Sequence, residues 1–374
     1  MMKSRTAGVA LALSAVIATA GCNAAATGQA PGGNTAQNAA GGGVSQATTI
    51  NETGSSLLYP LFNGQWIEAY RSVDPNVQIT AASTGSGTGI AQAIAGTVQI
   101  GASDAYLSDA QMRQNPAMVN IPLAISAQQV MYHLPELKPD QHLNLSGDVL
   151  AKIYQGQIRS WDDPAIASLN PGVQLPHQAI LPVHRSDGSG DTFLFTQYLS
   201  DTSADWKNTV GYSTTVSWPA AAGGIGAKGN DGVVQALANN PYSIGYVGIS
   251  WLDRATQQGL GYAALKNKDG RFVLPEKDNI LAAAQAGAAH VPEDERVSLI
   301  DEPGAKSYPI INFEYAIVNT KQPSDMAAAL KKFLTWAIDP KGGNQDQYLA
   351  PVHFLPLPAP IEARSQAQIN KIGG

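Results

Sequence analysis

Ile180-Leu181-Pro182-Val183-His184-Arg185-Ser186-Asp187-Gly188-Ser189-Gly190-Asp191-Thr192-Phe193-Leu194-Phe195-Thr196-Gln197-Tyr198-Leu199 is the stretch on which the fold turns. Ile180 to Arg185 is an apolar run of strand length, and Thr192 to Leu199 resumes with helical spacing after a glycine-rich turn. Strand, turn and helix in that order make the unit of an α/β sheet, whose ligands bind beyond the carboxyl ends of the strands. The turn suits one chemistry. Small residues let backbone N–H groups close on one point, a helix N-terminus adds partial positive charge, and Arg185 supplies a planar fork of donors. It reads as an anion cradle.

The pattern extends in both directions. Upstream, Thr84-Gly85-Ser86-Gly87-Thr88-Gly89 runs into the apolar-periodic Ile90 to Gly96, a second glycine turn opening a helix. Two such turns point to one anion held from both sides. Around them, strands are expected at Thr49–Thr53, Val77–Ala82 and Gln99–Ala102, with a helix at Leu61–Arg71, which predicts a mostly parallel sheet covered on both faces. A second α/β unit follows, with helices at Gly147–Tyr154 and Gly232–Ala238 and a strand at Tyr242–Tyr246. The β-rich run Tyr308–Val318 and the helix Met326–Ile338 close the chain, and crossings near Ala127 and Ile310 would form a hinge.

The 374-residue chain exceeds the usual size of one hydrophobic core. Its N-terminus is of another kind. Lys3 and Arg5 precede an apolar run from Ala7 to Ala18 that ends in Ala20-Gly21-Cys22, the form of an export signal. Cys22 is the only cysteine, and its setting resembles a bacterial lipobox, with Thr19 at the usual leucine position. Residues 23–48 are Ala, Gly, Gln, Asn and Thr with little to bury, the composition of a tether. The divisions expected are 1–21 signal peptide, 22–48 tether, 49–126 plus 310–374 domain I, and 127–309 domain II.

Net charge is −6, and removal of Lys3 and Arg5 with the signal leaves 21 cations against 29 acids, or −8. A bulk field of that sign repels anions and nucleic acid alike, so any anion site must be built from local dipoles and one or two cations.

Other motifs are weaker. Gly85 to Gly89 needs glycine at position 90 for a dinucleotide fingerprint and has Ile90, and no Gly-Lys-Ser/Thr triplet forms a nucleotide loop. Ser189 beside His184 has the flavour of a serine hydrolase, but the nucleophile elbow requires glycine where Asp187 and Asp191 stand. The six histidines have no helical metal spacing. Gly223 to Gly232 is glycine-rich, with a natural role in capping the helix after it. Asp104 follows a short buried-looking strand, where either a ligand contact or a turn aspartate would sit, and Asp187 reads as a turn residue or as a support for Arg185.

Taken in order, Gly54-Ser55-Ser56-Leu57-Leu58-Tyr59-Pro60, Thr84 to Gly89, Gly101-Ala102-Ser103-Asp104-Ala105, Ile158-Arg159-Ser160-Trp161-Asp162-Asp163-Pro164, Arg185 to Phe195 and Gly229-Asn230-Asp231-Gly232 resemble the phosphate-binding proteins of bacterial phosphate ABC importers. The form with Asp191 looks like the lipid-anchored actinobacterial members. The resemblance covers Thr49 to about Leu357. It implies a periplasmic-binding-protein-like α/β fold, two α/β domains joined by a two-strand hinge, with inorganic phosphate in the cleft and delivery to an ABC permease. It further implies anchoring to the membrane outside the cytoplasm through lipid on Cys22, and neither cofactor, metal nor catalysis.

By position, the family's ligand contacts fall on Ser56, Leu58, Tyr59, Ser86, Asp104, Arg185, Ser189, Gly190 and Asp191. Leu58 and Asp191 each stand where many members have threonine. Leu58 can offer only its N–H, and Asp191 presents a second acceptor suited to dihydrogen phosphate. An ionised Asp104 can only accept, so it would bond the proton of phosphate and repel sulfate, which has none. The alternatives are another oxyanion such as sulfate or molybdate, a secreted phosphatase or esterase using Ser189 with His184, and a surface adhesin.

Overall fold

The computed structural model describes residues 47–138 and 140–374, so the expected signal peptide, Cys22 and nearly all of the tether lie outside the described residues. The described residues form one compact unit. The strand β1 (Thr48–Gly54) leads into a continuous helical run: α1 (Tyr59–Leu61), a π turn at Phe62–Trp66, and α2 (Ile67–Val73). Then come β2 (Val77–Thr80), α3 (Ser86–Ala95), β3 (Ile100–Ser103), β4 (Met118–Tyr132), α4 (Gly147–Tyr154), β5 (Leu181–Arg185) and α5 (Gly190–Thr202). The strand β6 (Ile225–Ala227), α6 (Gly229–Asn239), β7 (Ser243–Gly248), β8 (Ile310–Asn319) and α7 (Ser324–Ile338) complete the frame.

Eight strands run in the order β2-β1-β3-β8-β4-β7-β5-β6 within a ten-stranded sheet. The flanks are parallel, as the alternating pattern predicts: β1 with β2 and β3 on one side, β5 with β6 and β7 on the other. The middle is not. β8 runs antiparallel to both β3 and β4, and β4 runs antiparallel to β7, so the expectation of a mostly parallel sheet is corrected at its centre. The cause is β4. Its fifteen residues are all buried, and it pairs with β8 up to Ala127 and with β7 from Gln128. Asn120, Ser126, Gln128 and Gln129 interrupt its apolar residues at no regular spacing, so a strand buried on both faces shows no period to read.

Helix starts also move. α3 begins at Ser86, inside the glycine run and four residues before the expected start at Ile90, where local propensity opposes it. Tertiary contact supplies what propensity lacks: Gly85 takes φ 94° at the N-cap, and Gly87 N–H donates to the Gly188 carbonyl at 2.8 Å. The two glycine turns therefore touch. α3 also lies unusually close to the sheet, since a Cβ on Gly89 would come within 2.6 Å of the Thr53 carbonyl oxygen, and one on Gly101 within 2.9 Å of Ala93 Cβ. Gly101→Ala is expected to destabilise the protein by about 1–3 kcal/mol through overpacking at this contact. A denaturant midpoint unchanged from wild type would contradict the close approach.

Candidate anion-binding site

Ser189 ends the β5 turn in extended conformation, and its Oγ accepts from Thr192 N–H at 3.2 Å, which starts α5 at Gly190. Arg185 is held at the strand end by its backbone, whose N–H donates to Tyr246 Oη at 2.9 Å. Its guanidinium is buried between two carboxylates. Nη1 donates to Asp191 Oδ2 at 2.6 Å, while Nε and Nη2 donate to Asp187 Oδ1 and Oδ2 at 2.7 and 2.5 Å. Three of its five N–H groups are thus engaged, leaving one on each terminal nitrogen. Burial works against the guanidinium charge, but the hydrogen bond to Asp187 and the charges of Asp191 and Asp187 more than reverse it. Asp187 feels the same opposition and ends below its ordinary value, so its reading as a support for Arg185 fits the geometry.

Asp191 is fully buried, and burial raises its carboxyl despite the opposing Arg185 charge. Its Oδ2 also accepts from Asn230 Nδ2 at 2.7 Å, and its Oδ1 from Gln128 Nε2 at 3.1 Å. Its oxygens face protein donors on three elements. Asn230 in turn donates from Nδ2 to Ser56 Oγ at 2.9 Å, and its backbone N–H donates there at 3.1 Å, so the turn after β1 is tied to the start of α6. The glycine run before α6 therefore does more than cap a helix. α6 has no side-chain cap, Gly229 N–H donates to Asp187 Oδ1 at 3.1 Å, and Asn230 lines the site.

Asp104 completes the wall. It lies just past β3, accepts from Ser55 Oγ, and meets Ser86 Oγ at 3.3 Å. A Cβ at position 190 would sit 2.7 Å from Asp104 Cγ, so only glycine lets α5 begin against this carboxyl. Burial raises Asp104 well above the ordinary carboxyl range, and the neighbouring charges of Glu314 and Asp191 raise it further. Around it the N–H groups of Gly190, Asp191 and Ser86, at the first positions of α5 and α3, donate to no protein acceptor among the described residues. Helix starts leave such groups without intrahelical partners, and burying them calls for an acceptor.

Ser56, Ser86, Asp104, Arg185, Ser189, Gly190 and Asp191 are thus gathered by direct contact or through Asn230. Leu58 and Tyr59 stand differently. The Leu58 side chain is in the core, and the N–H groups of Leu58 and Tyr59 donate to Ser55 Oγ and to the Ser55 carbonyl at 2.9 and 3.1 Å. Tyr59 lines an adjoining cleft of about 530 Å³ with Lys228, Gly229 and Arg254. His184 stacks on Trp218 at 4.8 Å, its Nδ1 3.1 Å from the Arg185 carbonyl oxygen, so neither it nor the cap residue Ser189 engages the other.

Sequence reasoning missed Gln128, Asn230, Tyr246, Asn312 and Glu314. One signal was available: Glu314 is the one charged residue of a strand that is apolar apart from Asn312 and Asn319, and an acid there is seldom fully buried without a purpose.

The sequence model of the PBP superfamily domain matches residues 27–341. The phosphate-binding protein PstS of Pasteurella multocida is 38% identical over 325 residues, covering 86% of this chain and 90% of its own. That of Methanocaldococcus jannaschii is 36% identical, covering 89% and 90%, and PstS 3 of Mycobacterium leprae is 30% identical, covering 99% and 100%. Among solved structures, the phosphate-binding protein of Stenotrophomonas maltophilia aligns with a TM-score of 0.63 at 21% identity, over 86% of this chain and 94% of that one. A putative phosphate ABC transporter substrate-binding protein from Clostridium perfringens, solved with bound phosphate, aligns with a TM-score of 0.60 at 18% identity, over 83% and 100%. The structures establish the α/β periplasmic-binding-protein fold, and the sequence relatives show that the chain belongs to the PstS family of phosphate-binding proteins.

Proposed function

We propose that this chain binds inorganic phosphate outside the cytoplasm and delivers it to an ABC permease, acting as a binding protein and not as an enzyme. The single observation that carries the reading is the convergence of buried, acceptor-less N–H groups at the starts of α3 and α5 beside the Asp104 carboxyl, with Arg185 held at the start of α5 by Asp191. Donors alone would take any small oxyanion. A carboxylate among them selects an anion that brings a proton of its own, which hydrogen phosphate has and sulfate lacks. In this reading Ser86, Ser189, Gly190 and Asp191 contribute main-chain or hydroxyl donors, and the Asp191 side chain acts mainly by holding Arg185. Ser56, Leu58 and Tyr59 form the opposing turn.

Residues 49–126 with 310–374 are taken as one lobe and 127–309 as the other. The pairing of β4 and β8 at Ala127–Ile311 supports this division, because the two strands on which the lobes meet are neighbours. Closure would exclude water and strengthen each donor. Lipid on Cys22, with residues 23–48 as tether, is proposed to hold the domain at the membrane; no helix among the described residues is long and apolar enough to cross one.

A thermal-shift panel tests the ligand: phosphate and arsenate are expected to raise the melting temperature with concentration, sulfate and molybdate at equal concentration far less. A flat response to phosphate would end the reading. Arg185→Lys, which replaces the fork by a point charge, is expected to weaken phosphate binding by about 10- to 100-fold in calorimetry of folded protein. Asp104→Asn substitutes a donor for one acceptor, so sulfate should compete measurably with phosphate in that variant and not in wild type. Cys22→Ser should move the protein from the membrane fraction to the medium or periplasm, and unchanged fractionation would exclude the lipid anchor.

A further inference from the structure

Glu314 is fully buried on β8, one step beyond the Tyr315–Ser103 pair and therefore across the ladder from Asp104. The two carboxyls meet side chain to side chain. Glu314 Oε1 accepts from Ser126 Oγ at 2.5 Å and from Asn312 Nδ2 at 3.0 Å, and the same Asn312 amide reaches the Asp104 carbonyl at 3.4 Å. Oε2 receives no donor from any side chain or backbone among the described residues. The charged groups bearing on Glu314 are Asp104, Asp191 on α5 and, beyond Asp191, Arg185 and Asp187. Fully ionised, this cluster would set four carboxylates, three of them fully buried, against one guanidinium before any anion arrived.

We propose that Glu314 is the proton-holding partner of Asp104: one proton resides on Glu314 Oε2 and is donated to Asp104, so the pair carries a single negative charge and Asp104 remains an acceptor toward the bound anion. The placement on Glu314 follows from surroundings. Burial raises both carboxyls, but only Asp104 faces the starts of α3 and α5, whose partial positive charge offsets that burial and favours its ionised form, while Glu314 lies behind it on a strand. Two adjacent buried carboxyls resist ionising together, so the second proton leaves only at a raised pH. Burial, opposed by hydrogen bonds from its neighbours, pushes the Glu314 carboxyl up to about 7. A dianion bound nearby raises it further. Above neutrality, Glu314 therefore loses its proton in the free protein and must regain it on binding, so affinity falls as pH rises.

The inference rests on the phosphate reading, and the test separates the two. Glu314→Gln keeps an N–H donor toward Asp104 and cannot ionise. By titration calorimetry it should bind phosphate within about threefold of wild type near pH 6.5, and near pH 9 should bind at least about fivefold more tightly than wild type, within the limit of tenfold per pH unit for one linked proton. Parallel pH profiles, or a folded variant weakened about tenfold or more near pH 6.5, would overturn the role of Glu314 and leave phosphate binding intact. Wild type that ignores phosphate would overturn the functional reading instead. If the variant does not fold, glutamate carboxyl carbon-13 NMR of wild type decides: one glutamate should titrate near neutrality in free protein and stop titrating there with phosphate. Glu295, pushed up to about 8 by burial, is told apart by its indifference to phosphate. Absence of a phosphate-dependent glutamate overturns the proposal.

Discussion

The clamp of Arg185 between Asp187 and Asp191 is the constraint to which the rest of the site is tied. A guanidinium this deeply buried is tolerable only with hydrogen-bonded counter-charges, and deleting one partner would leave an uncompensated charge in the interior. Each counter-charge is anchored elsewhere. Asp187 takes the first N–H of α6, and Asp191 takes the amides of Gln128 on β4 and Asn230 on α6. Asn230 then reaches Ser56 on the turn after β1. One buried cation thus fixes the relative positions of a strand end, two helix starts and a distant turn.

This arrangement explains how a chain with an excess of acids can hold an anion. Its bulk field gives no electrostatic attraction at a distance, so the affinity must arise at contact. The cation of the site is largely neutralised by its own aspartates, which leaves dipoles and directed N–H groups as the working donors. Such donors are strong only where water is excluded, and they lose nothing to salt screening when buried. Charge is therefore used here to fix geometry, and hydrogen bonding to recognise.

Much of this was legible in the residues. The cradle at Arg185–Asp191 and the turn at Thr84–Gly89 were readable because glycine and serine before an apolar helix have a local physical meaning, and the two turns do touch through Gly87 and Gly188. The parallel flanks of the sheet followed from local alternation in the same way. What escaped was non-local. β4 has no period to read, the antiparallel centre depends on where a chain returns after nearly two hundred residues, and α3 starts early only because a distant glycine caps it. Gln128 and Asn312 carry no local signal of their own. Their roles exist only once β8 lies beside β3 and β4.

The same non-local strands connect the site to the body of the protein. β4 and β8 are the strands that join the two parallel flanks, and four of the buried polar side chains they carry at that junction, Ser126, Gln128, Asn312 and Glu314, bond one another or the site. Gln128 holds Asp191 on one flank, while Asn312 and Glu314 meet Asp104 on the other. A rotation of either flank about this junction would shear hydrogen bonds that define the site, and loss of an acceptor in the site would release them. Polar residues in the middle of a sheet are costly unless satisfied. Here Gln128 and Asn312 donate into the site, while Gln128 Oε1 and Glu314 Oε2 receive no donor among the described residues, so the stability of the sheet's centre is coupled to the integrity of the site.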